Sequence, residues 1–136
     1  MPQTYKGGRA LTMANYLMGR AKFLDLTAAT QRKSLILLNQ VNALLDKFGE
    51  IRNVTSGFRP PEFNTPEHGV ANPRPGSAHL TGEAIDLEDK DGKLKAFCTL
   101  DILKEFDLYM EHPSATPTWC HLQTRPTKSG NRIFYP

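Results

Sequence analysis

Apolar residues fall on one helical stripe between Ala28 and Phe48, where Leu35, Leu38, Val41, Leu45 and Phe48 follow one another at spacings of three or four. Thr27 offers an N-cap oxygen and Gly49 stands just past the end, so the pattern predicts a helix over 28–48 that covers a sheet. Before it, Leu11 to Phe23 has apolar residues at mixed spacing and reads as a shorter helix or helical arm that Gly19 stops early. The period then changes to two. Ile51–Ser56, Glu83–Leu87, Asp107–Glu111, Thr118–Thr124 and Arg132–Tyr135 all read as strands. A second helix, Lys93 to Glu105, follows the turn Asp89-Lys90-Asp91-Gly92. The stretch from Arg59 to Ser77 carries five prolines, which favour the extended or turning backbone of a cleft wall. The expectation is an α+β fold, a small antiparallel sheet covered by helices. It forms a single domain over 1–136, with 1–26 as a helical arm and 27–136 as the core.

A chain of 136 residues can bury its own core without disulfide or metal staples, so any metal would serve function rather than folding. The first nine residues hold no apolar signal core and no run of eighteen apolar residues occurs, so the expected product is made in the cytoplasm without a signal peptide or membrane insertion. Cys98 and Cys120 are read as reduced core residues. Residues 1–60 hold nine Lys/Arg against three Asp/Glu, and 61–136 hold eight against eleven. These charges are interspersed with apolar residues and form no basic run with interleaved aromatics. They describe a solvated helix face, and no nucleic-acid partner is expected.

The chemistry concentrates in Ser77-Ala-His79-Leu-Thr-Gly82-Glu-Ala-Ile-Asp86 and in Trp119-Cys-His121. Period-two alternation puts Asp86 on one strand face with Ala84 and Glu88, and groups Trp119, His121 and Gln123 on one face with Cys120 and Leu122 on the other. Cys120 is therefore a poor ligand. Two short strands can bring Asp86 and His121 together, with His79 arriving from the preceding loop. Two imidazoles and a carboxylate suit Zn²⁺ and leave its fourth tetrahedral position open, the arrangement of a catalytic rather than a structural site.

With these residues placed, the chain resembles the peptidase M15 family, the zinc D-Ala-D-Ala carboxypeptidases and L-alanyl-D-glutamate endopeptidases that act on bacterial peptidoglycan. Thr55-Ser-Gly-Phe-Arg59-Pro60 is similar to the family's Ser-Gly-x-Arg strand end. Ser77-x-His79-x-x-Gly82-x-Ala84-x-Asp86 resembles its metal motif, and Trp119-x-His121 its third-ligand strand. The resemblance spans roughly residues 27–124, and three motifs in order are far more specific than any one of them. It implies a hedgehog/DD-peptidase-like fold with Zn²⁺ held by His79, Asp86 and His121. Arg59 would be a bidentate grip on a substrate carboxylate, and the peptidoglycan stem peptide the substrate. Ser77 and Trp119 would contribute to substrate binding. The resemblance extends to phage-encoded members, which are often this short. It thereby implies an enzyme that reaches the cell wall after release or is carried in a virion among phage structural proteins.

One position departs from the family. Many members carry an acidic base three residues before the last histidine, where this chain has Thr118. The nearest acid is Glu111, at the end of the preceding strand, a place where related zinc folds such as the hedgehog signalling domain also have one. Glu111 is therefore the candidate catalytic base, and the other reading of it is an exposed strand residue paired with a lysine or arginine. His68 and His112 fall in loops and read as solvent-exposed. Two functions stay open: a zinc peptidase, and a binding or structural protein of a phage particle that keeps the fold without turnover.

Overall fold

A computed structural model of the chain describes residues 10–19, 27–60, 66–68 and 76–136. The rear of the expected helical arm (20–23) and most of the proline-rich stretch (61–65 and 69–75) lie outside the described residues. The front of the arm forms α1, Met13–Leu17. Thr12 caps it, and Met18 and Gly19, both at positive φ, stop it where glycine predicted. α2 is Ala28–Phe48, with the Thr27 hydroxyl accepting from Thr30 N and Gly49 in the left-handed region at φ 101°. Its buried stripe is Leu37, Leu38, Val41, Leu44 and Leu45. Leu35, predicted on that stripe, is instead 52% exposed. The contact face is rotated toward Ser34, which is buried because its hydroxyl donates to Thr30 O at 2.7 Å.

Five strands form one sheet in the order β1-β2-β4-β3-β5, with β1 Val54–Ser56, β2 Ala84–Glu88, β3 Tyr109–Glu111, β4 Trp119–Gln123 and β5 Ile133–Phe134. The first four pair antiparallel, as predicted, but β5 lies parallel to β3 and makes the sheet mixed. The expected strand at 51–56 shortens to its last three residues. The expected helix over 93–105 is two, α3 Lys93–Phe97 and α4 Leu100–Glu105. Thr99 divides them, because its hydroxyl accepts from Ile102 N as an N-cap and its backbone is extended.

The apolar face of the sheet, with Ile85, Leu87, Met110, Cys120 and Leu122, packs with α2 residues and with Leu94, Leu103 and Leu108 in one core. Each fully buried leucine there contributes about 1.5–3 kcal/mol of transfer free energy. Tyr16 of α1 is buried in the same core, and its hydroxyl donates to Ala84 O at 2.8 Å. The Tyr16 carbonyl accepts from Phe58 N, and a Cβ on Gly57 would lie 2.0 Å from that carbonyl oxygen, so only glycine fits there. Both cysteines are free and buried, and Cys120 Sγ faces Met110 Sδ at 3.8 Å.

Candidate metal centre

The opposite face of the sheet carries the chemistry, because alternation in β2 and β4 turns Asp86 and His121 away from the leucines. The two residues are direct partners across the antiparallel β2–β4 pair. Such neighbours on one face hold their Cβ atoms about 4.5–5.5 Å apart. His121 Nδ1 accordingly lies 2.8 Å from Asp86 Oδ1. His79 comes from a 3₁₀ turn, Ala78–Thr81, whose N-cap Ser77 accepts from His79 N and whose end is Gly82 at φ 78°. A Cβ on Gly82 would meet Ser34 Oγ at 2.4 Å and Thr30 O at 2.7 Å, so this glycine seats the turn directly on α2. The turn is also joined to the chain after β1, where Arg59 N donates to His79 O at 3.1 Å. This places His79 Nε2 3.3 Å from Asp86 Oδ2 and sets the two imidazole rings edge to face at 5.3 Å.

The remaining nitrogen of each imidazole is fixed from outside the cluster. His79 Nδ1 is 2.9 Å from Gly57 O, and a carbonyl can only accept, so this nitrogen carries the proton. Gln123 Nε2 donates to Arg125 O at 2.8 Å, which turns Gln123 Oε1 toward His121 Nε2 at 2.7 Å. His121 Nε2 must then be the donor. Both imidazoles therefore aim their other nitrogen, His79 Nε2 and His121 Nδ1, at the Asp86 carboxylate. One donor atom from each of His79, Asp86 and His121 lies within 4.8 Å of the others, and the set could hold a metal ion. The donor types fit a borderline-soft divalent ion, and the anchored outer nitrogens are what a histidine ligand requires.

In the metal-free chain the same atoms form a buried ion pair. Burial opposes charge on Asp86, yet electrostatic attraction from the His79 ring and the hydrogen bond from His121 hold its carboxyl well below the usual carboxylate range. Burial likewise disfavours the His121 cation, but the hydrogen bond and charge of Asp86, with the charge of Glu111, push it up to about 9.

Glu111 ends β3, and its Oε2 lies 3.6 Å from His121 Nδ1, the nitrogen that also faces Asp86. Both carboxylates thus converge on one ring nitrogen, with Glu111 just outside the three-residue set. Arg59 is buried, and its Nη2 donates at 3.1 Å to Oγ of Ser56, the residue of β1 that pairs with Asp86. Ser77 serves the turn as its cap, and Trp119 stands at the start of β4 opposite Glu88. His112, expected to be solvent-exposed, is half-buried: it caps the 3₁₀ turn after Glu111 and stacks on Tyr135 at 4.5 Å.

Alternation alone puts Gln123 on the His121 face, and the two-residue spacing is the signal for the contact between them. Gly57 enters the sequence reading only as part of Ser-Gly-x-Arg and Phe134 only as a strand residue, and Arg125 lies in no motif. Phe134 packs edge-on against His121 at 6.2 Å, and only the parallel β3–β5 pairing brings it there. Among the described residues no helix is long and apolar enough to cross a membrane. A family model for Peptidase M15 matches residues 15–121, a span that contains Arg59, His79, Asp86, Glu111 and His121. No curated protein and no solved structure matches the chain.

Proposed function

Because this chain belongs to the peptidase M15 family, we propose that it is a zinc peptidase that hydrolyses a peptide bond in the stem of bacterial peptidoglycan. The observation that carries the reading is the meeting of His79, Asp86, His121 and Glu111, from four separate segments, on one polar face of the sheet. His79 Nε2, the Asp86 carboxylate and His121 Nδ1 would hold the ion. Zinc bound there supplies Lewis acidity, lowering the pKa of water and polarising the scissile carbonyl. Glu111 is the general base: its carboxylate takes a proton from the attacking water as oxygen adds to the carbonyl carbon. It then returns that proton to the amine as the C–N bond breaks. Gly57 O and Gln123 keep both imidazoles in the tautomers the site needs. Arg59, joined through its own backbone to His79, offers the planar fork that suits a substrate carboxylate. Ser77 and Trp119 flank the ligands and complete the substrate side.

A terminal carboxylate gripped by Arg59 gives carboxypeptidase action, and the side-chain carboxylate of a D-glutamate gives L-Ala-D-Glu endopeptidase action. The resemblance to short phage-encoded members supports a setting as an endolysin or as a virion-carried enzyme held by phage structural proteins. The test is hydrolysis of defined stem peptides by zinc-loaded wild type and Glu111→Ala, with metal content measured in both and products identified by mass spectrometry. The wild type is expected to release one defined product, and the variant to keep its zinc and lose about 10²–10⁴-fold in rate. Equal silence from two zinc-loaded proteins would replace the enzyme by a non-catalytic binding protein on the same fold.

A further inference from the structure

Arg125, two residues past β4, contacts both ends of the His79 turn, the entry to β2 and the end of β4. Its Nη1 donates to Gly76 O at 2.5 Å, just before the His79 turn, and its Nη2 donates to Thr81 Oγ1 at 2.7 Å, at the end of that turn. Nε and Nη2 also donate to Glu83 Oε1 at 3.3 and 3.2 Å, at the entry to β2. Glu83 in turn accepts from Thr81 Oγ1 at 2.5 Å and pairs with Lys33 of α2 at 3.8 Å. On its backbone side, Arg125 O is the acceptor that orients the Gln123 amide, and that amide fixes the proton on His121 Nε2. One residue thus straps the turn bearing His79 and, through two hydrogen bonds, selects the His121 nitrogen offered to the ion.

We propose that Arg125 is a positioning residue for metal binding, locking the His79 turn to the His121 strand so that both free imidazole nitrogens face Asp86. This inference rests on the reading of His79, Asp86 and His121 as the metal ligands. A planar guanidinium suits the task, because it reaches a carbonyl, a hydroxyl and a carboxylate at once from one rigid plane. A lysine presents a single point of charge and can replace only part of the strap. Partners of this kind, one step removed from the ion, change metal affinity by about 10–100-fold when lost.

The experiment measures Zn²⁺ affinity by chelator competition in wild type, Arg125→Ala and Arg125→Lys, together with the visible absorption of the Co²⁺-substituted proteins. Arg132→Ala serves as a control that removes an arginine ion pair, to Asp107, away from the strap. The expected result is a loss of affinity of about 10-fold or more in Arg125→Ala. Arg125→Lys should fall between it and wild type, the Co²⁺ spectrum of the alanine variant should shift, and Arg132→Ala should match wild type. Wild-type affinity and spectrum in both Arg125 variants would overturn the proposal. So would equal losses of stability in the metal-free and zinc-loaded forms with unchanged affinity, since that describes a structural staple. If Arg125→Ala fails to fold, Thr81→Val, which removes one partner of the guanidinium, carries the test and must weaken affinity in the same direction. A wild type without Zn²⁺ affinity overturns the ligand reading itself, and this inference with it.

Discussion

Raising the pH toward 9 is expected to tighten Zn²⁺ binding steeply, because His121 must surrender a proton to become a ligand. In the metal-free chain His121 Nδ1 lies 2.8 Å from Asp86 Oδ1 and Nε2 lies 2.7 Å from Gln123 Oε1, so an imidazolium finds an acceptor at both nitrogens. Its pKa is held near 9, against an ordinary value of 6.5. Each unit below that pKa costs about 1.4 kcal/mol of binding free energy. Between pH 6.5 and 9 affinity should therefore rise roughly 100-fold, equivalent to about 3 kcal/mol, and flatten above. Calorimetric titration at pH 7.5 in two buffers of different ionisation enthalpy counts the protons, and about one should be released per ion bound. Glu111→Gln removes one of the negative charges that raise the His121 pKa, so the plateau should be reached at lower pH. A flat affinity between pH 7 and 9, with no proton released, would refute the ion-pair reasoning.

Three further outcomes follow from the same contacts. In chelator-treated protein the folded His121 pKa of about 9 exceeds the ordinary 6.5, so its contribution is complete below pH 6.5 and disappears as pH rises through 9. Urea denaturation should show a loss of about 3 kcal/mol over that range, much reduced in Asp86→Asn. Gly82→Ala should destabilise by roughly 2–5 kcal/mol, combining left-handed backbone strain with a Cβ pressed onto Ser34 and Thr30, as read by the same denaturation. Leu44→Ala, at a fully buried position of α2, should cost about 2–5 kcal/mol while leaving Zn²⁺ affinity near wild type, since its packing lies across the sheet from the ligands.

Much of the fold could be read along the chain where local physics decides. α2 was bounded correctly at both ends because Thr27 and Gly49 do their capping within a turn of the helix. β2 and β4 were recognised from alternation, which also sorted Asp86 and His121 from Ile85, Leu87, Cys120 and Leu122. Differences arise where apolar periodicity alone does not decide. The exposure of Leu35 reflects how α2 is rotated against the sheet. The break at Thr99 reflects a local cap that apolar periodicity does not register.

The three candidate ligands are nameable from residue type, order and spacing, since imidazole and carboxylate carry their chemistry wherever they stand, and Glu111 enters through the family resemblance. What the sequence could not decide is which atoms meet. The β2–β4 register sets Asp86 opposite His121, and a one-residue slip would turn one of them into the core. Parallel addition of β5 brings Phe134 to His121, and the approach of Gly57 to His79 fixes a tautomer across 22 positions of chain. Arg125 shows the same limit most clearly: its partners at Gly76 and Thr81 lie 49 and 44 residues away. Such contacts depend on strand pairing and loop closure, which are collective properties of the folded chain. Residue types thus determined the available chemistry, and tertiary packing determined which nitrogen and which carboxylate oxygen would perform it.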